Sequence, residues 1–299
     1  MDKSEPAVAA SQRLKQAISE RRALLVPGAA NALTARVIED LGFEAVYLTG
    51  AGLANTELGV PDIGLVTSTE LARAVSAIAG ATRLPLIVDA DTGFGNAINV
   101  AHTVRILEGA GAAAIQLEDQ SFPKRCGHFS GKELIPAAEM VGKIRAAADA
   151  RASRDCLVIA RTDARAVEGL DAAIARAQGY AEAGADLTFV EAPESLAELE
   201  AIPRRLAVPQ VANMVVGGKT PLATQGELAA MGYGLVLYAN AALQASVLAM
   251  QEVLGALRRD GSLAAVPHRL VSFAERQRLV GKPEWDALEA RFALPPRGR

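Results

Sequence analysis

The feature that most constrains this chain is a rhythm repeated eight times: a short apolar run, a polar or glycine break, and then an alanine-rich amphipathic stretch. The apolar runs occupy residues 24–29, 45–50, 86–91, 113–119, 157–163, 187–192, 210–214 and 235–240. Each has the length of a buried strand rather than a helix, and strands alternating with helical patterns imply βα units around a parallel sheet. Helices are expected over 69–81, 99–109, 136–150, 171–183 and 224–231, several opened by Ser, Thr or Asp and closed by Gly. Thr49, Asp89, Asp91, Glu118, Arg161, Asp163, Glu191 and Asn213 all fall at the C-terminal ends of the predicted strands. An α/β fold of the (β/α)8 TIM barrel type brings those ends to one face, where sites of this architecture are built. An open doubly wound sheet, the alternative, leaves some of them far apart.

The flanks extend this frame. Residues 1–22 read as an N-terminal helical extension with Leu14 and Ile18 one turn apart, 23–259 as the barrel with its last helix starting at 241, and 260–299 as a C-terminal helical tail. Phe273, Trp285 and Phe292 of the tail need burial, on a neighbouring subunit or across the barrel, so a homo-oligomer is expected. A net charge of −3 without basic, aromatic-interleaved runs argues against nucleic acid as a partner. No apolar stretch reaches the length of a membrane span, and Cys126 and Cys156 cannot build a disulfide framework, so a cytoplasmic protein without membrane contact is expected. Cys156, opening the run CLVIA, reads as a small buried hydrophobe.

The chemistry-bearing residues cluster in two groups. In PKRCGHFSGK, residues 123–132, Cys126 lies between Lys124 and Arg125 on one side and His128 on the other, cations that favour a thiolate; the plainer reading is a surface loop with an incidental cysteine. Asp89 and Asp91, two apart on a predicted strand, face the same way, and two close carboxylates call for a cation between them. Hard oxygen donors favour Mg2+, with Mn2+ as a substitute, and Glu118 and Asp62 supply third and fourth acids. Zinc is disfavoured, since the three histidines show no ligand spacing. Arg161 and Asn213 offer donors to an anionic ligand, Glu191 orients Arg161 or His128, and Thr49, Gly50, Ala51 and Gly52 offer backbone N–H groups to a second carboxylate. A small dianion bound on a metal is the expected ligand. GFGNAI lacks the third glycine of a dinucleotide fingerprint, and GGKT lacks the first glycine of a P-loop.

With DADTGFGN, QLEDQ, PKRCGHFSGK, IARTDA and VANM in this order, residues 10–260 resemble the isocitrate lyase and phosphoenolpyruvate mutase superfamily, in its cysteine-loop lyase branch. The resemblance implies a (β/α)8 barrel whose last helix is exchanged between subunits, assembled as a tetramer of paired dimers. It implies Asp91 as the direct Mg2+ ligand, and Asp62, Asp89 and Glu118 as acids holding the metal's waters. Cys126 would be the general acid, Lys124, Arg125 and His128 part of a closing loop, and Arg161, Glu191 and Asn213 the substrate-binding set. Tyr47 with Thr49–Gly52 would contact the keto-acid end.

The implied reaction is retro-Claisen cleavage of a 2-hydroxy dicarboxylate of the 2-alkylmalate, 2,3-dimethylmalate or methylisocitrate type, giving a 2-keto acid such as pyruvate and a carboxylate. The first proton acceptor is open between Tyr47, Asp62 and a metal-bound hydroxide. GHFSGK, with Phe129 after the histidine, is closer to enzymes of 2-alkylmalates or oxaloacetate than to methylisocitrate lyases, and Val216 stands where relatives generally carry glutamate. Oxaloacetate hydrolysis to oxalate and acetate and carboxyphosphonoenolpyruvate phosphonomutase chemistry are the alternative reactions. A non-catalytic dicarboxylate-binding scaffold is the alternative outside enzymology.

Overall fold

The structure, a computed structural model, describes residues 7–124 and 131–293, with side-chain surroundings described from residue 10. It divides into two compact units, one ending at Leu243 and the other beginning at Gln244.

The first unit is a closed parallel barrel of eight strands in sequence order. Helix α1 (Ala7–Ser19) precedes β1 (Leu24–Ala29), α2 (Ala32–Asp40) and β2 (Val46–Leu48). A short α3 (Gly50–Leu53) continues into a π-helical turn over Ala54–Leu58, followed by α4 (Ser68–Ala79) and β3 (Leu86–Asp89). Next come α5 (Ala97–Ala110), β4 (Ala112–Glu118), α6 (Ala137–Ala150) and β5 (Leu157–Thr162). Helices α7 (Arg165–Glu168) and α8 (Leu170–Glu182) lead to β6 (Leu187–Val190), α9 (Leu196–Arg205) and β7 (Gln210–Asn213). The circuit ends with α10 (Gln225–Met231), β8 (Tyr233–Tyr238) and α11 (Ala241–Asp260). β8 closes on β1, with Val26 opposite Leu237.

Local chemistry explains the boundaries. Thr67, Asn96 and Thr224 each cap a helix with reciprocal side-chain and backbone hydrogen bonds to the residue three places on, satisfying N–H groups that would otherwise lack partners. α5 and α10 end on Gly111 and Gly232, whose φ of 111° and 99° lets the chain reverse into the next strand.

Alternation along each strand sorts side chains into two layers. Leu24, Val26, Ile87, Ile159, Phe189, Val211 and Leu235 fill the barrel interior, while Val46, Leu48, Leu86, Val88, Ile115 and Leu117 pack outward against the helices. Leu14 and Ile18 of α1 join the interior cluster, and Ile18 lies beside Gly234 at the start of β8. Helix α1 therefore covers the N-terminal end of the barrel and leaves its C-terminal end for the polar residues.

At the β1–β8 seam a Cβ on Gly28 would lie 1.8 Å from the carbonyl oxygen of Ala239, so only glycine lets the backbones approach this closely. Gly28→Ala is expected to destabilise the barrel by about 3 kcal/mol, at the upper end for overpacking. A lowered urea midpoint would show this, and an unchanged midpoint would mean that the seam yields freely.

The second unit carries the remainder of α11, then α12 (Phe273–Leu279) and α13 (Lys282–Phe292). Phe273, Trp285 and Phe292 are exposed in the single chain, as are Leu248, Met250 and Leu254 of α11. No helix among the described residues is long and apolar enough to cross a membrane.

Candidate active site

The inward phase of each strand continues from apolar core to polar mouth. Ile87 is followed by Asp89, Ala114 by Gln116 and Glu118, Ile159 by Arg161 and Asp163, Phe189 by Glu191, and Val211 by Asn213. With Tyr47 of β2, these side chains converge at the C-terminal end of the barrel. Tyr47, Asp62, Asp89, Lys124, Arg161 and Asn213 are among the residues lining a pocket there with about 40 Å³ of free volume. That holds about three water molecules.

One wall of the pocket is acidic. The strand-based argument placed Asp89 and Asp91 on one face, but β3 ends at Asp89 and Asp91 lies beyond it with φ at +48°, a left-handed conformation that aspartate tolerates better than most residues. The two nevertheless stay together. The Asp91 N–H donates to Asp89 Oδ1 at 3.3 Å, and a Cβ on Gly50 would sit 3.2 Å from Asp91 Oδ1 and 3.3 Å from Asp89 Oδ2, so glycine leaves the room that both carboxyls use. Glu118 joins through its own N–H, which donates to the Asp91 carbonyl at 2.9 Å.

Lys124 reaches into this wall. Its ammonium is ion-paired with Asp62 and lies 2.8 Å from Asp91 Oδ1. Burial works against the charge on Lys124, but Asp91, Glu118, Asp89 and Asp62 outweigh it and raise its pKa above the ordinary lysine value. Burial, opposed by Lys124 and reinforced by Asp89 and Asp62, pushes Asp91 up to about 7. Burial also lifts Glu118 well above the usual carboxylate range, against the pull of Arg161. Tyr47 is driven far above the phenol range by burial and then by the charge of Asp89, so its hydroxyl is a donor in this state.

Arg161, the register partner of Glu118 on the neighbouring strand, brings a guanidinium beside this wall. Arg161 donates through Nε and Nη2 to the two oxygens of Asp163, each at 3.0 Å, and lies 3.4 Å from Glu118 and 3.7 Å from Glu191. Its guanidinium also stacks 5.3 Å above the Phe189 ring. Asp163 is held in turn by Lys132 Nζ at 2.7 Å and by its own N–H, which donates to Asp119. Despite burial, Arg161 and Lys132 keep Asp163 below the ordinary carboxylate value. The sequence argument left Asp163, Lys132 and Asp119 without roles. Asp163 was visible as one more acid at a strand end, but nothing in the spacing shows that its carboxylate grips Arg161 rather than facing a ligand.

The TGAG segment forms α3 rather than an open loop. Thr49 caps it, accepting from the Gly52 N–H at 3.3 Å, and the Gly50 N–H donates to Asp89 at 3.4 Å, so two of the expected ligand-binding amides serve protein oxygens here. Thr49 Oγ1 donates to Asn240 Oδ1, and Ala51 lines the pocket beside them. Arg125, Cys126, His128 and Phe129 lie outside the described residues. Cys156 is buried, donates weakly to the Ala112 carbonyl, and has its thiol pushed up to about 12 by burial, consistent with a packing role.

The donor set suits a hard divalent cation. Among the described residues no three carboxylate, imidazole or thiol groups lie at chelating spacing. Magnesium needs only one or two carboxylates, its remaining ligands being waters and substrate. Around the pocket six carboxyls (Asp62, Asp89, Asp91, Glu118, Asp163 and Glu191) meet three cations (Lys124, Lys132 and Arg161), and burial holds Asp91 and Glu118 toward the protonated form, so a divalent ion would supply the charge that ionises them. Glu118 Oε1 and Gln116 Oε1 are buried with no hydrogen-bond partner among the described residues, hard oxygens free to accept from a metal's water shell.

Comparison with known proteins agrees with this geometry. A family profile described as phosphoenolpyruvate phosphomutase matches residues 14–258. A 2,3-dimethylmalate lyase of Eubacterium barkeri is 45% identical over 94% of this chain and 97% of its own. A 2-methylisocitrate lyase of Aeropyrum pernix is 46% identical over 93% of this chain and 89% of its own. Among solved structures, oxaloacetate acetylhydrolase in complex with 3,3-difluorooxalacetate superposes with a TM-score of 0.90 at 31% identity, covering 95% of this chain and 97% of the other. Fold, pocket and relatives together show that the chain belongs to the phosphoenolpyruvate mutase and isocitrate lyase superfamily, as a carbon–carbon lyase.

Proposed function

We propose that this protein cleaves a 2-hydroxy dicarboxylate of the 2-alkylmalate or 2,3-dimethylmalate type to a 2-keto acid and a second carboxylate, with Mg2+ as cofactor. The observation that carries the reading is the pairing, in one pocket, of an acidic wall (Asp62, Asp89, Asp91 and Glu118) with a fixed guanidinium at Arg161. The 2,3-dimethylmalate lyase relative and the loop continuation GHFSGK support this substrate class.

Asp91, with Asp62, Asp89 and Glu118 behind it, would hold the metal, which when bound would supply a charge to favour ionisation of the substrate hydroxyl and to stabilise the keto acid. Arg161, held flat by Asp163, pairs with a substrate carboxylate and stabilises the enolate-like fragment. Tyr47 and Asn213 orient the substrate from neighbouring strand ends. The hydroxyl proton passes to a carboxylate of the acidic wall, Asp62 being the candidate, the C2–C3 bond breaks, and Cys126 protonates the resulting carbanion; the proton on the carboxylate then returns through solvent to the thiolate, so every atom of the substrate ends in the two products.

The test is incubation with Mg2+ and a panel of 2,3-dimethylmalate, other 2-alkylmalates, methylisocitrate, isocitrate and oxaloacetate, with products identified by mass spectrometry. One hydroxy acid is expected to yield its 2-keto acid, with loss of activity in EDTA and recovery on adding Mg2+. Activity that survives EDTA treatment would remove the metal from the reaction. The match to oxaloacetate acetylhydrolase supports a second reading at the same site, and oxalate formed from oxaloacetate alone would establish it.

A homo-oligomer, arranged as a tetramer of helix-exchanged dimers, fits the apolar residues that α11, α12 and α13 expose in the single chain. A reducing cytoplasmic setting suits a chain with two cysteines, one of them packed in the core.

A further inference from the structure

Two buried lysines flank residues 125–130, and their partners differ in kind. Lys132 pairs with Asp163, whose oxygens already receive the fork of Arg161, so that contact is one link of a closed network. Lys124 instead holds Asp62 and Asp91, two of the carboxylates that the metal reading assigns to a divalent ion. We propose that Lys124 is a resident surrogate cation of the metal site: its ammonium and a divalent ion compete for Asp62 and Asp91, and metal loading requires the ammonium to leave them. The inference rests on the metal-dependent reading above and adds to it the group that sets metal affinity.

Burial and shared oxygens carry the argument. Only 4% of the Lys124 side chain is exposed, and an ammonium is removed from water to that degree only where opposite charge compensates it. Asp62 and Asp91 provide that compensation, so the lysine and its acids neutralise each other in the absence of another cation. Magnesium takes carboxylate oxygens directly or through its own waters, so the Asp62 and Asp91 oxygens that the ammonium holds are not available to the ion at the same time. A lysine ends in a single point charge on a flexible stem, and it can withdraw without disturbing the strands that carry the acids.

Mn2+ binding to wild-type protein, Lys124→Met and Lys124→Arg, followed by titration of the free-ion electron paramagnetic resonance signal, tests this directly. Lys124→Met is expected to bind Mn2+ about tenfold more tightly or better, the ordinary size of coupling between linked binding events, with Lys124→Arg close to wild type. Equal or weaker binding by folded Lys124→Met, alongside saturable wild-type binding, would overturn the competition. Absence of Mn2+ binding by wild type and variants alike would overturn the metal reading and this inference with it.

A measurement on unaltered protein guards against a misfolded variant. Reductive methylation of Lys124, followed by mass spectrometry of its peptide, is expected to run at least about fivefold faster with saturating Mn2+, because release from two carboxylates restores a nucleophilic amine. A rate unchanged or slowed by Mn2+ would count against displacement.

Discussion

Arg161→Lys is expected to lower kcat/KM by about 10²–10³-fold while the barrel remains folded, in line with the cost of losing a buried, doubly hydrogen-bonded charge partner. The charge survives this change but the fork does not. Arg161 spans three acids, with two parallel bonds to Asp163 and closer approach to Glu118 than to Glu191, and its plane is set by the Phe189 ring. A lysine ammonium satisfies one of these acids and leaves the geometry of substrate pairing undefined. Because the positive charge stays in place, the buried carboxylates are not left uncompensated, and the urea midpoint should move far less than in Arg161→Met. Steady-state kinetics on the substrate found in the dicarboxylate panel, with far-UV circular dichroism as a check on folding, decides the matter. A lysine variant within threefold of wild type would show that Arg161 is an ion-pair partner in the wall and not a substrate ligand.

Cys126→Ser should reduce product formation by about 10²–10⁴-fold, the range contributed by a positioned general acid, with Mn2+ binding unchanged. Serine keeps the size and polarity of the side chain, but its hydroxyl is a far weaker acid and cannot deliver a proton to a carbanion at neutral pH. In the sequence the thiol stands two residues after Lys124, whose ammonium reaches the acidic wall, and two before His128. Measuring keto-acid release together with deuterium uptake from D2O into the carboxylate product separates the steps. Full-rate deuterium incorporation by the serine variant would place the proton donor elsewhere.

These two positions also show how far the sequence reading reached. Strand-like runs with a period of two place Asp89, Glu118, Arg161, Glu191 and Asn213 on the same inward phase as Ile87, Ala114, Ile159, Phe189 and Val211, and that phase follows from backbone pleat alone. Asp91 fitted the same count for a different reason, since a left-handed turn and not a strand returns its carboxyl to Asp89. The helix starts at Ser68 and Gln225 fall within one residue of those expected, because Thr67 and Thr224 cap them locally, whereas α5 begins at Ala97, two residues before the expected 99, where Asn96 caps it.

What the sequence by itself determined is therefore the order of the eight βα units, the inward phase of the polar strand ends and the kind of chemistry these residues favour, all consequences of local periodicity and side-chain type. Tertiary structure alone decided the register of the closing seam, with Val26 opposite Leu237, that Lys124 crosses to Asp62 and Asp91, and that Asp163 grips Arg161 with Lys132 behind it. The physical reason is that a charge's role depends on which opposite charge reaches it once both are buried, and those partners come together only when separate strands and loops pack around one closed barrel.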